Sequence, residues 1–183
     1  MPSRLSRSEF RSEPLDGSRH DREAFSSGNE ALDRYLRRQA TQDIRKRVAV
    51  VFVLTPDART IAGYYTLSQF SVQLDLVPDE IGRRFPKYPY VPTTLIGRLA
   101  RSEAFKGQGV GELLLLDAME RCLSLSRQVA SAGIVVDSKD DSAERFYLRY
   151  GFVPLSKVAG RLFLPMGTVE ELFEKLGQKR DVT

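Results

Sequence analysis

Residues 94–119 read TLIGRLARSEAFKGQGVGELLLLDAM, and this stretch decides the fold of the chain. Its first residues alternate as in a strand, and an apolar run with helical spacing follows the glycines Gly107, Gly109 and Gly111. Glycines at alternate positions allow positive φ and a close approach of the backbone, so several N–H groups can converge on one point. The first turn of the helix adds unpaired N–H groups and a partial positive charge. The stretch therefore predicts a strand, a turn and a helix that bind an anion, and phosphate is the anion expected.

Two familiar phosphate-binding loops do not match these glycines. A Walker loop continues with Gly-Lys-Ser/Thr, whereas Val110, Gly111 and Glu112 follow Gly109. A dinucleotide fingerprint that used Gly109 and Gly111 would need a third glycine where Leu114 stands. A glycine-rich turn without any ligand stays open as an alternative at this point.

The length and composition of the chain predict one globular domain. Of its 183 residues, 42% are hydrophobic and 28% are charged, which is enough apolar material for one core. We expect residues 1–13, rich in Ser, Arg and Glu, to form a flexible tail, and residues 14–183 to form the domain. The single cysteine, Cys122, excludes an internal disulfide, and with the single histidine, His20, it argues against a metal site. No signal peptide or membrane span is evident, so we expect a cytoplasmic protein that binds no metal and no membrane.

The net charge of +4 and the placing of the basic residues favour an anionic partner. The two basic clusters are Arg34, Arg37, Arg38, Arg45, Lys46 and Arg47, and then Arg83, Arg84 and Lys87. Charge alone leaves two interpretations open, a solvated surface and a contact with nucleic acid.

Hydrophobic periodicity predicts helices and strands along the whole chain. The predicted strands lie at residues 48–54, 60–68, 71–76, 94–101, 133–136, 152–155 and 161–165, the first of them buried on both faces. The predicted helices lie at residues 29–45, 78–85, 113–125, 143–150 and 168–176. The cap signals are Ser27 with Glu30, Asp140 or Ser142, Gly151, and Thr168 with Glu171. The proline-rich segment between residues 85 and 92 is expected to be extended without regular structure. This order predicts an α+β domain, and periodicity alone does not decide its topology.

The glycine turn resembles the pyrophosphate loop of the GNAT superfamily of acyl-CoA-dependent N-acetyltransferases, Arg/Gln-x-x-Gly-x-Gly/Ala. Here the turn reads Lys106-Gly107-Gln108-Gly109-Val110-Gly111, and Lys106 departs from the pattern. Since the family contacts the pyrophosphate mostly with backbone amides, we expect binding to survive this substitution. The resemblance implies acetyl-CoA as co-substrate. It also implies a mixed, mostly antiparallel central sheet flanked by helices, whose splayed fourth and fifth strands admit the pantetheine arm.

A second stretch, residues 140–152, resembles the family signature Asn-x-x-Ala-x-x-Phe-Tyr-x-x-x-Gly-Phe. The resemblance implies that Tyr147 is catalytic and that its hydroxyl returns a proton to the CoA thiolate. Asp140 stands where many members have asparagine, so its contact with the pantetheine arm is open, and Tyr147 as an ordinary core aromatic is the alternative. The residues that the resemblance assigns to acetyl-CoA are Leu99, Ala100, Arg101, Lys106, Gly107, Gln108, Gly109, Val110, Gly111, Asp140, Ala143 and Phe146. Backbone groups of the first three pair with pantetheine, and one N–H polarises the thioester carbonyl.

Three further stretches, at residues 25–36, 63–68 and 88–100, resemble the GNAT toxins of bacterial toxin–antitoxin pairs, which acetylate the α-amino group of aminoacyl-tRNA. This resemblance implies aminoacyl-tRNA as acceptor, a homodimer, and a small DNA-binding antitoxin as partner. The residues expected to hold tRNA phosphates are Arg37, Arg38, Arg45, Arg83, Arg84 and Arg98. An α-amino group has a pKa near 8, so no strong enzyme base is needed, and His20 is the one weak candidate.

Two other functions stay open at this stage. The chain could be a GNAT that acetylates a protein or small-molecule amine, or a non-catalytic CoA- or nucleic-acid-binding module that acts with an antitoxin on DNA. Cysteine chemistry is a poor alternative, because Cys122 falls on the apolar side of a predicted helix, which is a packing position.

Overall fold

The structure is a computed structural model that describes residues 9–178. Most of the predicted tail, residues 1–8, lies outside the described residues. Residues 11–13 were expected in that tail, but they form a strand and pair with the next one. Residues 11–13 therefore belong to the folded part of the chain.

Strands and helices are interspersed along the described chain. The strands are β1 (Arg11–Pro14), β2 (Val50–Thr55), β3 (Gly63–Gln73), β4 (Tyr90–Arg101), β5 (Gly133–Asp137), β6 (Val153–Pro154) and β7 (Arg161–Pro165). The helices are α1 (Glu30–Arg38), α2 (Ala40–Arg45), α3 (Asp79–Gly82), α4 (Val110–Ser126), α5 (Asp141–Leu148) and α6 (Met166–Gln178). Among the described helices, none is long and apolar enough to cross a membrane.

The strands follow the order β1-β2-β3-β4-β5-β7-β6, which confirms the predicted α+β class. The pairs β1–β2, β2–β3, β5–β7 and β6–β7 are antiparallel, whereas β4–β5 is parallel. The β4–β5 register runs from Thr94↔Ile134 to Ile96↔Val136, while β4 itself continues to Arg101. The last residues of β4 thus extend beyond this ladder, since β5 ends at Asp137.

The described chain divides into two compact units, each with its own core. The first unit contains the described residues up to Ser68 together with Gly97–Ala118, and the second contains Gln69–Ile96 and the described residues from Met119 onward. The core of the first unit comprises Leu15, Phe25, Tyr35, Leu36, Ala40, Val51, Val53, Ile61, Tyr64 and Ala100. The core of the second unit comprises Val72, Val77, Val135, Leu155 and Phe163, with partly buried Phe70, Leu76, Ile81, Phe85 and Leu95 packed against it.

The single helix predicted over residues 29–45 is wrong, because the chain breaks at Gln39 into α1 and α2. The predicted capping box is also wrong. Asn29 is the N-cap, and its side-chain oxygen accepts hydrogen bonds from the N–H groups of Ala31 and Leu32. Ser27 instead donates its hydroxyl to the buried carboxylate of Asp33 at 2.6 Å.

Three strand predictions need correction. Residues 60–68 and 71–76 were expected to form separate strands, but β3 is one strand that ends in a short 3₁₀ turn at Leu74–Leu76. β4 begins at Tyr90, earlier than predicted, and includes Pro92, whose carbonyl accepts from the N–H of Ala132 at 2.8 Å. The first residue of β2 is exposed, so that strand is not buried on both faces along its whole length.

The elements after β4 agree better with the prediction. Asp140 caps α5 by accepting from the N–H of Ala143 at 2.8 Å, and Gly151 has the positive φ of 87° expected beyond a helix end. The capping box proposed at residues 168–171 is wrong, since α6 begins at Met166. The N–H of Met166 bonds to the carbonyl of Ala132, so tertiary contact sets that helix start.

Candidate active site

The glycine turn between β4 and α4 has the geometry of an open anion cradle. Gly107 has φ of 77° and Gly109 has φ of 74°, a left-handed conformation that favours glycine. Apart from the glycine itself and its two chain neighbours, no residue has a heavy atom within 4 Å of the position that a Cβ would take at Gly107 or at Gly109, so the outer face of the turn is open. A ligand can therefore approach the backbone of this turn closely.

The start of α4 adds donors to the cradle. The N–H of Leu113 bonds to the carbonyl of Gly109, while the N–H groups of Val110, Gly111 and Glu112 precede this first helical donor. These N–H groups and the helix dipole favour a negatively charged ligand. The cradle thus fits a diphosphate.

Lys106 lies at the rim of the cradle, where its side chain is 72% exposed. Its Nζ is 3.9 Å from a carboxylate oxygen of Glu103, which is a weak surface ion pair. The ammonium group therefore remains available to a phosphate, although the backbone supplies most of the donors.

Tight packing of β3, β4 and α4 holds the cradle in place. A Cβ at Gly63 would lie 2.9 Å from the carbonyl oxygen of Ala100 and 2.6 Å from a methyl carbon of Leu114, so only glycine fits there. The N–H of Ser102 bonds to the carbonyl of Ala62 at 2.8 Å. Of the strand residues assigned to pantetheine, Leu99 and Arg101 are half-buried and Ala100 is buried.

Tyr147 lies on α5 in the second unit and is only 7% exposed. Its ring packs edge-on against Phe146 at 5.3 Å and against Phe152 at 5.4 Å between centroids. Its hydroxyl makes no hydrogen bond to any group in the described part of the chain. Burial, with a further contribution from the charge of Asp137, raises the pKa of Tyr147 to about 12. The phenol therefore stays protonated at physiological pH and has a proton to donate.

An ion pair close to Tyr147 in the second unit was not identified from the sequence. Arg161 donates Nε to one carboxylate oxygen of Asp137 at 2.7 Å and Nη2 to the other at 3.0 Å. The guanidinium carbon of Arg161 also lies 5.0 Å from the ring centroid of Phe70. The available signal was an acid placed directly after the buried strand predicted at residues 133–136.

His20 is not a free base. It is buried, its Nδ1 accepts from the backbone N–H of Asp16 at 2.9 Å, and its Nε2 contacts a carboxylate oxygen of Glu13 at 2.8 Å. Both ring nitrogens are therefore engaged in holding the turn after β1. In the part of the chain that the structure describes, no group of three or more His, Cys, Asp or Glu side chains could hold a metal ion.

The cysteine is equally inert. Cys122 is buried on α4, and burial raises the pKa of its thiol to about 12. A thiol that stays protonated is a poor nucleophile.

The predicted tRNA-binding arginines fall into two groups. Arg37 points inward and donates to the carbonyl oxygens of Phe25 at 2.6 Å and Arg22 at 3.4 Å. The guanidinium carbon of Arg98 lies 3.6 Å from the ring centroid of Tyr35. The exposed group, without an ion pair to any described residue, comprises Arg38, Arg45, Arg83 and Arg84.

Residues 93–168 match the family model described as an acetyltransferase (GNAT) domain. The chain is 30% identical over 168 residues to the probable toxin TacT of Sinorhizobium fredii, covering 87% of this chain and 93% of that protein. It is 34% identical over 129 residues to a tRNA-acetylating toxin of Mycobacterium tuberculosis, covering 70% of this chain and 76% of that protein.

Solved structures agree with these relatives. AtaT complexed with acetyl-methionyl-tRNAfMet has a TM-score of 0.83 and 29% identity, covering 90% of this chain and 99% of that chain. A tyrosine-to-phenylalanine mutant of AtaT, bound to the C-terminus of the antitoxin AtaR and acetyl-CoA, has a TM-score of 0.77 and 27% identity, covering 90% of this chain and 98% of that chain.

Proposed function

The chain belongs to the GNAT family of acetyltransferases, and on this premise we propose that it transfers the acetyl group of acetyl-CoA to the α-amino group of aminoacyl-tRNA. The observation that carries the proposal is an open cradle of backbone amides in a chain that is 34% identical over 129 residues to a tRNA-acetylating toxin. Loss of free α-amino groups from aminoacyl-tRNA blocks translation, so the protein acts as a toxin.

The first role is to bind the donor. Acetyl-CoA supplies an acetyl group as a thioester. Amides of Gly107, Gly109 and the first turn of α4 hold its diphosphate, with Lys106 at the rim. Backbone groups of Leu99, Ala100 and Arg101 hold the pantetheine arm, and one N–H there polarises the thioester carbonyl.

On α5, three further residues complete the proposed donor site. Ala143 and Phe146 are half-buried on the helix that carries Tyr147, and they pack against the pantetheine arm. Asp140 occupies the N-cap, where its carboxylate already accepts a backbone hydrogen bond. Its contribution to the donor site is therefore to fix the start of α5.

Tyr147 acts as the general acid. A phenol with a pKa of about 12 is a weak donor to a thiolate whose conjugate acid has an ordinary pKa of about 8.5. Burial disfavours both the phenolate of Tyr147 and the thiolate of CoA, however, as the raised pKa of the buried Cys122 thiol illustrates. A thiolate released beside Tyr147 gains basicity for the same reason, and the two pKa values approach each other. The Tyr147 hydroxyl, which has no hydrogen-bond partner in the described chain, can then donate its proton.

The acceptor needs little help from an enzyme base. An α-amino group with a pKa near 8 is partly neutral at physiological pH, whereas a lysine amine with a pKa near 10.4 is not. Since His20 is occupied by Glu13 and Asp16, we propose that the neutral amine attacks without a protein base. The proton that nitrogen then loses passes to solvent, and Tyr147 takes a proton from solvent after it has protonated the thiolate. This favours aminoacyl-tRNA over a lysine side chain as acceptor.

The partners follow from the relatives. We propose that phosphates of tRNA contact the exposed residues Arg38, Arg45, Arg83 and Arg84. For Arg37 and Arg98, whose guanidinium groups are engaged within the first unit, contact with tRNA stays a prediction. AtaT binds the C-terminus of an antitoxin and KacTA forms a complex with DNA, so we also propose a small DNA-binding antitoxin. A homodimer in the cytoplasm, where aminoacyl-tRNA is consumed, completes the proposal.

The test is an acetyl-transfer assay with labelled acetyl-CoA. The acceptors are charged tRNA, the same tRNA without its amino acid, and a basic peptide, each with wild type and Tyr147→Phe. We expect label only on charged tRNA, and much less of it with the variant. Label on the peptide alone would show a protein acetyltransferase, and no label on any acceptor would point to a binding module.

A further inference from the structure

A groove of about 810 Å³ lies in the second unit, on the segment that joins β3 to β4. Its walls include Leu74, Val77 and Phe85, and its rim includes Tyr88 and Tyr90. The volume is within the range of about 300–1,000 Å³ typical of ligand sites. Of the described residues that border it, none is assigned above to acetyl-CoA. The groove therefore calls for a different ligand.

The groove has a firm frame. The N–H of Leu74 bonds to the carbonyl of Pro89 at 3.0 Å, which closes the segment on itself. The N–H of Ser156 bonds to the carbonyl of Leu76 at 2.8 Å and ties the segment to the β6–β7 hairpin. Below the groove, Phe85 belongs to the hydrophobic cluster of the second unit. The site is thus built into the fold and is preorganised.

Two tyrosine rings stand exposed at the rim. Tyr88 is 68% exposed and Tyr90 is 56% exposed, although large aromatic residues usually bury most of their surface. Neither hydroxyl forms a hydrogen bond with a group in residues 9–178. Pro86 and Pro89 restrict the backbone on either side of Tyr88, so the ring is displayed at little entropic cost. Both rings are available for stacking.

Cations border the same groove. Arg83 and Lys87 line it, and within the described chain neither forms an ion pair. Asp75 and Asp79 line it too, so the groove has no strong net charge. A long nucleic-acid duplex, which binds mainly through its phosphate charges, would therefore bind this groove weakly. A short single strand suits it better, with bases on the rings and a phosphate near each cation.

The groove is connected to Tyr147 within the second unit. Phe85 packs edge-on against Phe163 of β7 at 6.3 Å. Phe163 pairs with Val153 of β6, and the preceding residue, Phe152, contacts the ring of Tyr147 at 5.4 Å. The β6–β7 hairpin therefore supports both the groove and the residue proposed as general acid.

We propose that Tyr88 and Tyr90 are a stacking platform for the unpaired nucleotides at the 3′ end of the acceptor tRNA, with Arg83 and Lys87 on their phosphates. This inference rests on the proposed function. Proteins bind single-stranded RNA by stacking bases on aromatic rings and by placing cations along the backbone. Stacking tolerates any base, so the platform selects aminoacylated RNA over free amines and leaves the choice of amino acid to other residues.

The test compares two acceptors, charged tRNA and aminoacyl-adenosine, which carries the same amino group on one nucleotide. Tyr88→Ala and Tyr90→Ala are each expected to lower kcat/KM for charged tRNA by about 5- to 150-fold, mainly through KM. The loss for aminoacyl-adenosine is expected to be smaller, because the neighbouring nucleotides are missing. Tyr88→Phe keeps the ring and is expected to retain most of the wild-type kcat/KM.

A second measurement addresses the cations. Lys87→Ala is expected to reduce the salt dependence of KM for charged tRNA by about one phosphate contact. Lys175→Ala, at an exposed position on α6, is the matched control and is expected to leave that dependence as it is. Thermal melts of the variants establish that each is folded.

Three results would overturn the inference. An equal loss on both acceptors would show that the tyrosines act on the amino group or on the donor. Unchanged kcat/KM for charged tRNA in Tyr88→Ala and Tyr90→Ala would show that the two rings do not bind the tRNA. A change from dimer to monomer in Tyr88→Ala, measured by sedimentation, would assign the groove to a second copy of the chain. Failure of the wild type on both acceptors would instead refute the proposed function, and the inference with it.

Discussion

Tyr147→Phe separates the chemical role proposed for Tyr147 from its packing role. The change removes one oxygen and keeps the ring contacts with Phe146 and Phe152, at 5.3 and 5.4 Å between centroids. Since the hydroxyl has no hydrogen-bond partner among the described residues, no buried group is left unpaired. The free energy of unfolding should therefore hardly change. A lost general acid lowers kcat by about 10²–10⁴-fold, or roughly 3–5 kcal/mol of barrier.

The assay measures kcat with charged tRNA, acetyl-CoA affinity by calorimetry, and Tm for wild type, Tyr147→Phe and Leu148→Ala. Leu148 is the next residue on α5 and is exposed, so its replacement is a matched control for disturbance of the helix. We expect a large fall in kcat for Tyr147→Phe alone, with donor affinity and Tm close to wild type. Wild-type kcat in Tyr147→Phe would refute the general-acid role, and a fall in kcat accompanied by a large fall in Tm would refute the packing argument.

Three other perturbations test separate parts of the structure. Gly109→Ala forces a side chain onto a backbone with φ of 74°, at a cost of about 1–2 kcal/mol, and should weaken acetyl-CoA binding measured by calorimetry. Gly177→Ala, on α6, is the control, and the same acetyl-CoA affinity in both variants would contradict the proposed cradle. His20→Ala removes a buried side chain together with its hydrogen bonds to Asp16 and Glu13, and it should lower the free energy of unfolding by about 1–3 kcal/mol in guanidinium titrations. A large loss of kcat without that destabilisation would show instead that His20 acts as a base. Burial and the hydrogen bond to Asp43 raise the pKa of Tyr35 to about 12, so its stabilising contribution is complete below pH 10 and is lost as pH rises towards 12. Tyr35→Phe should therefore reduce the fall in the free energy of unfolding over that pH range. An unchanged dependence of this free energy on pH would contradict the raised pKa.

Local sequence signals predicted the elements in which the deciding interactions are short-range. The buried strand β5 and the cap of α5 by Asp140 are examples, because hydrophobic pattern and a neighbouring N–H group are enough to specify them. Predictions failed where a distant contact decides the outcome. The start of α6 is set by the bond from Met166 to Ala132, and Pro92 enters β4 because its carbonyl also bonds to Ala132.

The α1–α2 break shows the same limit. The apolar spacing continues through Gln39, so periodicity predicts one helix, yet the chain turns there and Ala40 is buried in the core of the first unit. The direction of the backbone depends on the core residues against which the helices pack, and the periodicity of residues 29–45 contains no information about those core residues.

For the candidate site, the sequence alone indicated which residues could bind an anion and which tyrosine could donate a proton. Alternating glycines ahead of a helix predict an anion cradle because the conformation they allow is local, and the spacing of residues 140–152 indicates which tyrosine matches the family signature. Only the tertiary structure decided that His20 is occupied, that Arg37 points inward and that Tyr147 is buried with no hydrogen-bond partner among residues 9–178. Burial, hydrogen-bond partners and pKa depend on residues far apart in the chain, and these are brought together only when the sheet forms.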